Sequence, residues 1–389
     1  MRILHVVSGI DARLGGPVAA LTGLVRAQAA LGHEPIIAAS YCKGHDLSIA
    51  EQLRHEGIKV DLIGPALIPK LAWHPSIRRH LDALLHTGID VVHIHALWEE
   101  IQHRAARLAA RHHIPYIIRP CGMLDPWSLR QGAAFKKIYM AARLRKNLTQ
   151  ASAIHYTTAA ERDLAAPLRI LATPIVEPNG LDLSEFGELP PKGLFRERFP
   201  QVGHRPYALF LSRLHFKKGL DLLIPAFQKA ALKDVDLVIA GPADSAAFED
   251  ELKALVRQQG MEQRVHFVGM LRGVQKIAAL AEAQLFVLPS RQENFGVSVI
   301  EALAAGTPVL VSDQVNLHDV VSEREVGGVV PLDIDRLTAE LRRWLENPVL
   351  CRATGERARP FALETYAWPQ IARRWTAHYQ ELRARRETG

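Results

Sequence analysis

Residues 285–313 have the sequence LFVLPSRQENFGVSVIEALAAGTPVLVSD, and this stretch decides the fold class that the sequence predicts. It begins and ends with short apolar runs, residues 285–288 and 307–312, which are typical of buried strands in a parallel sheet. Residues 297–305 between them predict a helix, and Gly306 suits the left-handed residue that ends one. The stretch is therefore expected to fold as strand, loop, helix and strand.

The loop at residues 291–296 is where we expect a ligand. Ligands of open parallel sheets bind beyond the carboxyl ends of the strands, where this loop falls. It leads into a helix N-terminus, whose free N–H groups and positive dipole suit a phosphate, and Gly296 lets a ligand approach the backbone. Glu293 and Glu301 are acids that suit sugar hydroxyls rather than the anion itself. A diphosphate with a sugar at each end, a nucleotide sugar, has both features.

The run Glu293–Glu301, ENFGVSVIE, resembles the E-x7-E signature of the large family of retaining glycosyltransferases typified by bacterial mannosyl- and glucosyltransferases and by sucrose synthase. Two glutamates at this spacing also arise by chance, and the Asn-Phe-Gly insert in its strand-helix-strand context favours function. The resemblance implies an α/β, GT-B fold, in which two Rossmann-like domains with parallel sheets face a deep interdomain cleft. It also implies a donor site lined by Asn294, Phe295, Gly296, Val297 and Glu301.

The composition fits a soluble protein of two domains. The chain has 389 residues, of which 48% are hydrophobic and 23% are charged. No run approaches the roughly 18 to 20 apolar residues of a membrane span. Residues 1–7, MRILHVV, lack the layout of a signal peptide, so we expect a cytoplasmic protein.

The formal net charge of +7 indicates an anionic partner. Nucleic acid is the least expected one, because no helix-turn-helix, zinc-finger or RNA-binding signature accompanies the charge. Residues 135–149, FKKIYMAARLRKNLT, predict a basic amphipathic helix. It is either a solvated helix packed by one face or an interface for anionic lipid or a lipid-linked acceptor, at the inner face of the plasma membrane.

A change of domain is predicted at residues 175–182, IVEPNGLD, which contain a Pro-Asn-Gly turn signal and resemble the interdomain segment of the family. We expect an N-terminal acceptor-side domain at residues 1–180, joined by a C-terminal helix at about 364–389. The donor domain is expected at residues 181–363. In the N-terminal domain, alternating strands and helices predict a doubly wound sheet whose last strand is residues 153–158.

Further site residues follow from the resemblance and from strand ends. Gly15 and Gly16 form a glycine pair after the first strand, where the family lines the cleft near the donor diphosphate; an ordinary turn is the alternative. His95 ends a strand, where the family often places a histidine close to the reacting sugar. The loop after residue 269 contributes backbone contacts to the base in the family, which indicates Met270 and Leu271.

The catalytic set that the sequence indicates is Arg213, Lys218, Glu293 and His95. The R-x4-KG spacing of Arg213 and Lys218 after a strand matches the diphosphate-binding pair of the family, and two fixed cations would stabilise a departing diphosphate. A metal ion and other cofactors are not expected, because the Asp333-Ile334-Asp335 run lacks partner ligands. The resemblance implies retention of anomeric configuration, and we favour front-face attack with domain closure to exclude water.

The expected function is transfer of a hexose from a UDP- or GDP-sugar to a glycan, lipid-linked or small-molecule acceptor, in bacterial surface polysaccharide or glycolipid synthesis. A nucleotide-sugar 2-epimerase on the same fold is the alternative. A dinucleotide-binding oxidoreductase is a third class, but the chain lacks the G-x-G-x-x-G fingerprint with its following acid.

Overall fold

The computed structural model describes residues 1–14 and 16–387. The chain divides into two compact units, an N-terminal unit of Met1–Leu181 with Trp368–Gly389 and a C-terminal unit of Asp182–Ala367. Within the described residues, no helix has both the length and the apolar character needed to span a membrane.

The N-terminal unit is built on a parallel sheet of seven strands. Its strands are β1 (Arg2–Val7), β2 (Glu34–Ser40), β3 (Lys59–Ile63), β4 (Val91–His95), β5 (Tyr116–Arg119), β6 (Ala153–Tyr156) and β7 (Thr173–Val176). The spatial order is β3-β2-β1-β4-β5-β6-β7, and each neighbouring pair is parallel. The central strands are buried along their length, as in sheets that helices cover on both faces.

The edge strand β7 corrects one sequence prediction. Residues 153–158 were expected to hold the last strand of this sheet, but β7 follows and pairs in parallel with β6. Of its four residues only Ile175 is buried, so its sequence lacks the apolar run by which the other strands were predicted. Pro174 is tolerated there because an edge strand leaves one side of its backbone outside the hydrogen-bonded ladder.

Eight α-helices precede the change of unit within the described residues. They are α1 (Gly16–Ala30), α2 (Ser48–His55), α3 (Ile77–Leu85), α4 (Glu100–Arg111), α5 (Pro126–Arg130), α6 (Ala133–Tyr139), α7 (Arg145–Gln150) and α8 (Ala159–Ala165). A π-helical turn, Met140–Leu144, joins α6 to α7, so the predicted basic helix forms with a bulge in its middle.

The C-terminal unit is built on a second parallel sheet, of six strands. Its strands are β8 (Tyr207–Leu211), β9 (Asp236–Ala240), β10 (Val265–Gly269), β11 (Leu285–Leu288), β12 (Val309–Ser312) and β13 (Gly327–Val330). The spatial order is β10-β9-β8-β11-β12-β13. The chain runs outward from β8 to one edge, then returns to β11 and runs to the other edge, so the order reverses between β8 and β11.

The helices of the C-terminal unit alternate with its strands. They are α9 (Leu194–Arg198), α10 (Leu220–Ala230), α11 (Ala246–Gln258), α12 (Gly273–Glu282), α13 (Val297–Ala304), α14 (His318–Glu323), α15 (Ile334–Leu345) and α16 (Pro348–Tyr366). The stretch that decides the fold class forms β11, α13 and β12, as its pattern predicts.

The last helix, α17 (Trp368–Glu387), belongs to the N-terminal unit. Its residues Ile371, Trp375 and Tyr379 are each 1% exposed and join a core with Ile3 and Ile117. These large apolar side chains recur along one face of the helix, so burying them against the first sheet fixes where α17 packs.

Trp368, the first residue of α17, packs against two glycines. A side chain on Gly23 of α1 would lie 2.2 Å from the indole, and one on Gly180 would lie 2.3 Å from it. Real side chains do not approach so closely, so both positions need glycine. The indole thereby holds the end of the N-terminal segment and the start of α17 beside α1.

Candidate functional site

The candidate site of the C-terminal unit lies where its strand order reverses. In a doubly wound sheet the two helices that follow the strands at this point lie on opposite faces, which opens a crevice beyond the carboxyl ends of the strands. Here the two strands are β8 and β11. Residues 212–219 follow β8 and residues 289–296 follow β11, and these two loops carry Arg213, Lys218 and Glu293.

The two loops are in direct contact. Gly219 has a φ of +72°, and a Cβ there would lie 2.0 Å from the carbonyl oxygen of Pro289. The backbone N–H of Arg291 donates to the carbonyl of Lys217 at 2.6 Å, and the Arg291 guanidinium forms two hydrogen bonds of 2.7 Å with Asp221. Glycine in the KG pair is therefore required by backbone contact between the loops.

This contact brings together two of the predicted catalytic residues. The Lys218 ammonium forms an ion pair with the Glu293 carboxylate, and the two side chains are 15% and 20% exposed. Glu293 is also held by its backbone, since its N–H donates to Gln314 and its carbonyl accepts from the N–H of Asn316, at 3.1 and 2.9 Å. The carboxylate is thus fixed at the entrance to α13.

Glu301 has a partner that the sequence analysis did not identify. Its carboxylate accepts a hydrogen bond of 2.6 Å from the ammonium of Lys276 on α12, and both side chains are largely buried. Lys276 is the one basic residue of α12 and adjoins its apolar run, residues 277–281, and that was the available signal. An acid more than one turn inside α13 is therefore compensated by a lysine from a neighbouring helix.

Arg213 pairs with an acid outside the two loops. Its guanidinium lies 3.4 Å from the carboxylate of Asp244, in the loop after β9, and its side chain is largely exposed. His215 lies 3.9 Å from the same carboxylate, and its partial burial lowers the pKa of the imidazole. In this structure Lys218, rather than Arg213, is the cation that contacts Glu293.

Gly296, with a φ of +75°, is the N-cap residue of α13. Val297 is the first residue of the helix, and its side chain is exposed. The first N–H groups of a helix have no partner within it, so they are directed at whatever lies beyond its end. Phe295 is buried and its ring lies 6.1 Å from that of Tyr366. Its side chain is therefore a core residue, and a ligand would meet its backbone.

The remaining donor-binding predictions are placed as follows. Asn294 accepts from the side-chain amide of Asn316 at 3.4 Å. After β10, Met270 is exposed and its sulfur lies 3.4 Å from the Arg272 guanidinium, whereas Leu271 is buried and offers only its backbone to a ligand. Gly16 begins α1 with open space around it, and Gly15 lies outside the described residues.

His95, predicted as a catalytic residue at a strand end, lies in a buried chain of hydrogen bonds inside the N-terminal unit. Its Nε2 lies 3.1 Å from Nδ1 of His5, and the Arg119 guanidinium lies 3.5 Å from its Nδ1. Nε2 of His5 lies 2.8 Å from the side-chain oxygen of Gln28. The ring is 3% exposed, so its side chain is a member of the core in this structure.

The same network of hydrogen bonds continues through residues that the sequence did not indicate as site residues. The amide of Gln28 donates to the Tyr379 hydroxyl at 3.3 Å, and this hydroxyl lies 2.8 Å from Nδ1 of His93. Nε2 of His93 lies 3.2 Å from Nδ1 of His155, whose Nε2 donates to the carbonyl of Glu177 at 2.8 Å. Histidines within buried strands were the available signal.

The two groups at the ends of this hydrogen-bond network, the Arg119 guanidinium and the Glu177 carbonyl, determine which nitrogen of each imidazole carries the proton. A guanidinium can only donate and a carbonyl can only accept, so each histidine between them donates from one nitrogen and accepts at the other. This arrangement requires neutral rings. Burial accordingly lowers the pKa of His5 to about 4, and it lowers the pKa values of His93, His95 and His155 well below their usual value.

Each unit matches a family of known proteins. Residues 192–361 match the family described as glycosyl transferases group 1, and residues 15–180 match the family described as glycosyl transferase 4-like domain. Both matches are to glycosyltransferase families and together they span most of the chain, and the α/β, GT-B fold of two Rossmann-like domains that the sequence predicts is confirmed.

Among curated relatives, an uncharacterized glycosyltransferase of Methanocaldococcus jannaschii is 34% identical over 42% of this chain and 42% of its own length. The MMP alpha-(1->4)-mannosyltransferase of Mycolicibacterium hassiacum is 30% identical over 49% of this chain and 46% of its own length. The matched segments thus span less than half of these relatives. Among solved structures, Anabaena Alr3699/HepE in complex with UDP has a TM-score of 0.80 and 17% identity, over 98% of this chain and 100% of that chain.

We predict that Gly219→Ala destabilises the C-terminal unit, because the added Cβ collides with the Pro289 carbonyl. Gly273→Ala is the matched control, since Gly273 also has a positive φ, of +49°, but a Cβ there meets no atom within 4 Å. Gly219→Ala should lower the free energy of unfolding by about 1–3 kcal/mol more than the control does. Urea denaturation followed by circular dichroism measures both, and equal losses would contradict the loop contact.

We also predict that acid destabilises the N-terminal unit through its buried histidines. Between pH 6.5 and about 4 the histidines of the unfolded chain bind protons, whereas the buried His5 ring of the folded chain stays neutral. The free energy of unfolding should therefore fall as the pH falls through this range, by up to about 1.4 kcal/mol per pH unit for each histidine. His5→Gln should reduce this slope, and His113→Asn, at an exposed position, should leave it unchanged. If His5→Gln leaves the slope of the unfolding free energy against pH unchanged, buried histidines do not cause the loss of stability in acid.

Proposed function

We propose that the protein transfers a hexose from a UDP- or GDP-sugar, with retention of configuration, to a glycan, lipid-linked or small-molecule acceptor. The observation that carries this proposal is the Lys218–Glu293 ion pair, which sits between the two loops at the reversal of strand order and at the N-terminus of α13. Bacterial surface polysaccharide or glycolipid synthesis is the process we assign to it.

A nucleotide sugar fits the charges of this site. The Lys218 ammonium has three donors, so one bond to Glu293 leaves donors for the diphosphate. Glu293 would accept hydrogen bonds from the hexose hydroxyls, and Glu301, oriented by Lys276, from the ribose hydroxyls. The free N–H groups at the start of α13 add to the diphosphate site. That Alr3699/HepE binds UDP and UDP-glucose supports a donor of this kind.

The proposed reaction is a front-face substitution. The bond from the anomeric carbon to the diphosphate breaks, and the acceptor oxygen bonds to that carbon on the same face. The acceptor proton passes to the departing diphosphate. Lys218 would stabilise the negative charge that grows on the phosphate as the bond breaks. Arg213 would join it by exchanging its exposed contact with Asp244 for the diphosphate.

We further propose that the transfer uses no divalent metal, with fixed cations in its place. Of the Asp333-Ile334-Asp335 run, the Asp333 carboxylate caps α15 by accepting from the N–H of Arg336 at 2.9 Å, and Asp335 pairs with Lys229. Both acids therefore have structural partners.

The test of transfer is incubation with UDP-glucose and GDP-mannose separately, with release of the nucleoside diphosphate followed with and without acceptor. Lys218→Ala and Glu293→Gln should each lower the rate at least about 100-fold, because a charge contact to the transition state is lost. Lys229→Ala is the matched control, since it breaks a lysine–carboxylate pair at the other end of α10. EDTA should leave the rate unchanged.

The products decide between the alternatives. A glycoside with the anomeric configuration of the donor supports the proposal, and an inverted product contradicts retention. Conversion of the donor into its 2-epimer without acceptor would make the protein an isomerase. Full activity in Lys218→Ala or Glu293→Gln would remove the proposed site.

We also propose that the protein contacts anionic membranes through an apolar–basic patch on the N-terminal unit. The patch is formed by exposed residues of two segments: Leu67, Ile68, Lys70, Phe135, Lys137 and Ile138. The Lys70 ammonium lies 5.9 Å from the centre of the Phe135 ring, which joins the segments. Ile138 is 70% exposed, a large apolar surface in water, and lysines beside such a surface suit the acidic head groups of lipids.

The basic helix of the sequence analysis supplies only part of this patch. Arg143 forms an ion pair with the buried carboxylate of Glu100, and the Lys136 ammonium donates to the carbonyl of Ser128. These two cations serve the fold. Lys70 comes from a segment about 65 residues earlier in the chain, and no pattern local to residues 135–149 could indicate it.

Vesicle co-sedimentation tests the patch. The protein should bind vesicles of phosphatidylglycerol and not those of phosphatidylcholine. Ile138→Asp should weaken binding at least about tenfold, through lost apolar burial, and Lys70→Ala about fivefold. Val349→Asp is the matched control, because Val349 is equally exposed, at 72%, in the C-terminal unit. Equal binding to both vesicles, or equal loss in the control, would refute the patch.

A further inference from the structure

A second cluster of polar groups lies on the surface of the N-terminal unit, where two helices end side by side. Asp82 lies in the last turns of α3 and His86 follows its end, while His112 follows the end of α4. Leucines at positions 81, 85 and 108 join the two helices to one core. A carboxylate oxygen of Asp82 and one ring nitrogen of each histidine all lie within 4.8 Å of one another.

The His86 ring has one nitrogen held by the backbone. Its Nδ1 lies 2.7 Å from the main-chain carbonyl of Asp82, and since a carbonyl only accepts, Nδ1 carries the proton. The lone pair of the neutral ring is therefore on Nε2, on an exposed side chain. A hydrogen bond from the other ring nitrogen to a backbone carbonyl is the usual device that fixes a metal-ligating histidine.

His112 and Asp82 complete the set. Nε2 of His112 donates to the Asp82 carboxylate at 2.7 Å, and the rings of His112 and His86 lie 4.7 Å apart. This hydrogen bond holds a carboxylate oxygen of Asp82 beside Nε2 of His112. A metal ion would take the place of the shared proton, which moves to Nδ1 of His112.

We propose that Asp82, His86 and His112 form a zinc site. Two imidazoles and one carboxylate are a ligand set that zinc prefers, with water as the fourth ligand. Donor atoms around one zinc ion lie roughly 3.3 Å apart, because each is about 2.0–2.2 Å from the metal. The ligand atoms here lie within 4.8 Å of one another, so binding of zinc would bring them closer by about 1.5 Å or less. The bound ion would tie these two helices together, and it has no part in sugar transfer.

Among the described residues, the buried histidines of the same unit are a second place where possible metal ligands lie close together. Nitrogens of His5, His93 and His95 also lie within 4.8 Å of one another. Both nitrogens of each ring already have hydrogen-bond partners, and the Arg119 guanidinium lies 3.5 Å from His95. No lone pair is open there, and a fixed positive charge opposes a cation. The cluster of Asp82, His86 and His112 is therefore the better candidate for a metal site.

Zinc titration of the tag-free full chain by calorimetry tests the site. The chain should bind one equivalent, and zinc should raise its melting temperature. His112→Gln and His86→Gln should each weaken binding at least about tenfold, because each removes a ligand and even the loss of a residue that only supports a ligand costs about that much. Cobalt in place of zinc should give visible absorption bands that both variants lose.

His113→Asn is the matched control, because His113 is exposed beside the cluster and asparagine tolerates its φ of +54°. It should bind zinc as the unchanged chain does. Asp82→Asn tests the carboxylate with little change of shape, and circular dichroism checks that every variant is folded. Absence of zinc binding, or binding that His112→Gln and His86→Gln both retain, would overturn the proposal.

Discussion

The close approach of Gly219 to the Pro289 carbonyl is the contact on which the candidate site depends. It brings the loop after β8 against the loop after β11, at the one place in the sheet where the strand order reverses. Any side chain at position 219 would hold these loops apart. With the backbones in contact, Lys218 reaches Glu293, and the N-terminus of α13 follows three residues after Glu293.

Charge compensation explains why this site can carry acids in a partly buried place. Glu293 and Glu301 are each neutralised by a lysine from another element, Lys218 or Lys276. A buried charge without its partner costs several kcal/mol, so each acid and its lysine form one unit. The same pairing would suit the proposed function, because a lysine with two further donors could bind phosphate while it holds the carboxylate in place for the hydroxyl groups of a sugar.

The N-terminal unit uses polar groups differently. Its histidines on β1, β4 and β6 form a chain of neutral hydrogen bonds that reaches Tyr379 of α17. Because each ring both donates and accepts, the chain satisfies its buried polar atoms without any charge between its ends. This network and the packing of Trp368 against two glycines hold the last helix on the first sheet.

Local patterns in the sequence determined the class of the protein. Apolar runs separated by helix-length segments predict a doubly wound sheet. The residues of the loop between β11 and α13 are sufficient by themselves to predict an anion site there. The edge strand β7, with no apolar run, escaped such a reading. Tertiary structure alone decided the partners: Lys276 for Glu301, Asp244 for Arg213, and a buried network for His95. The residues of these pairs are 25 to 90 positions apart in the sequence, and only the fold brings them together.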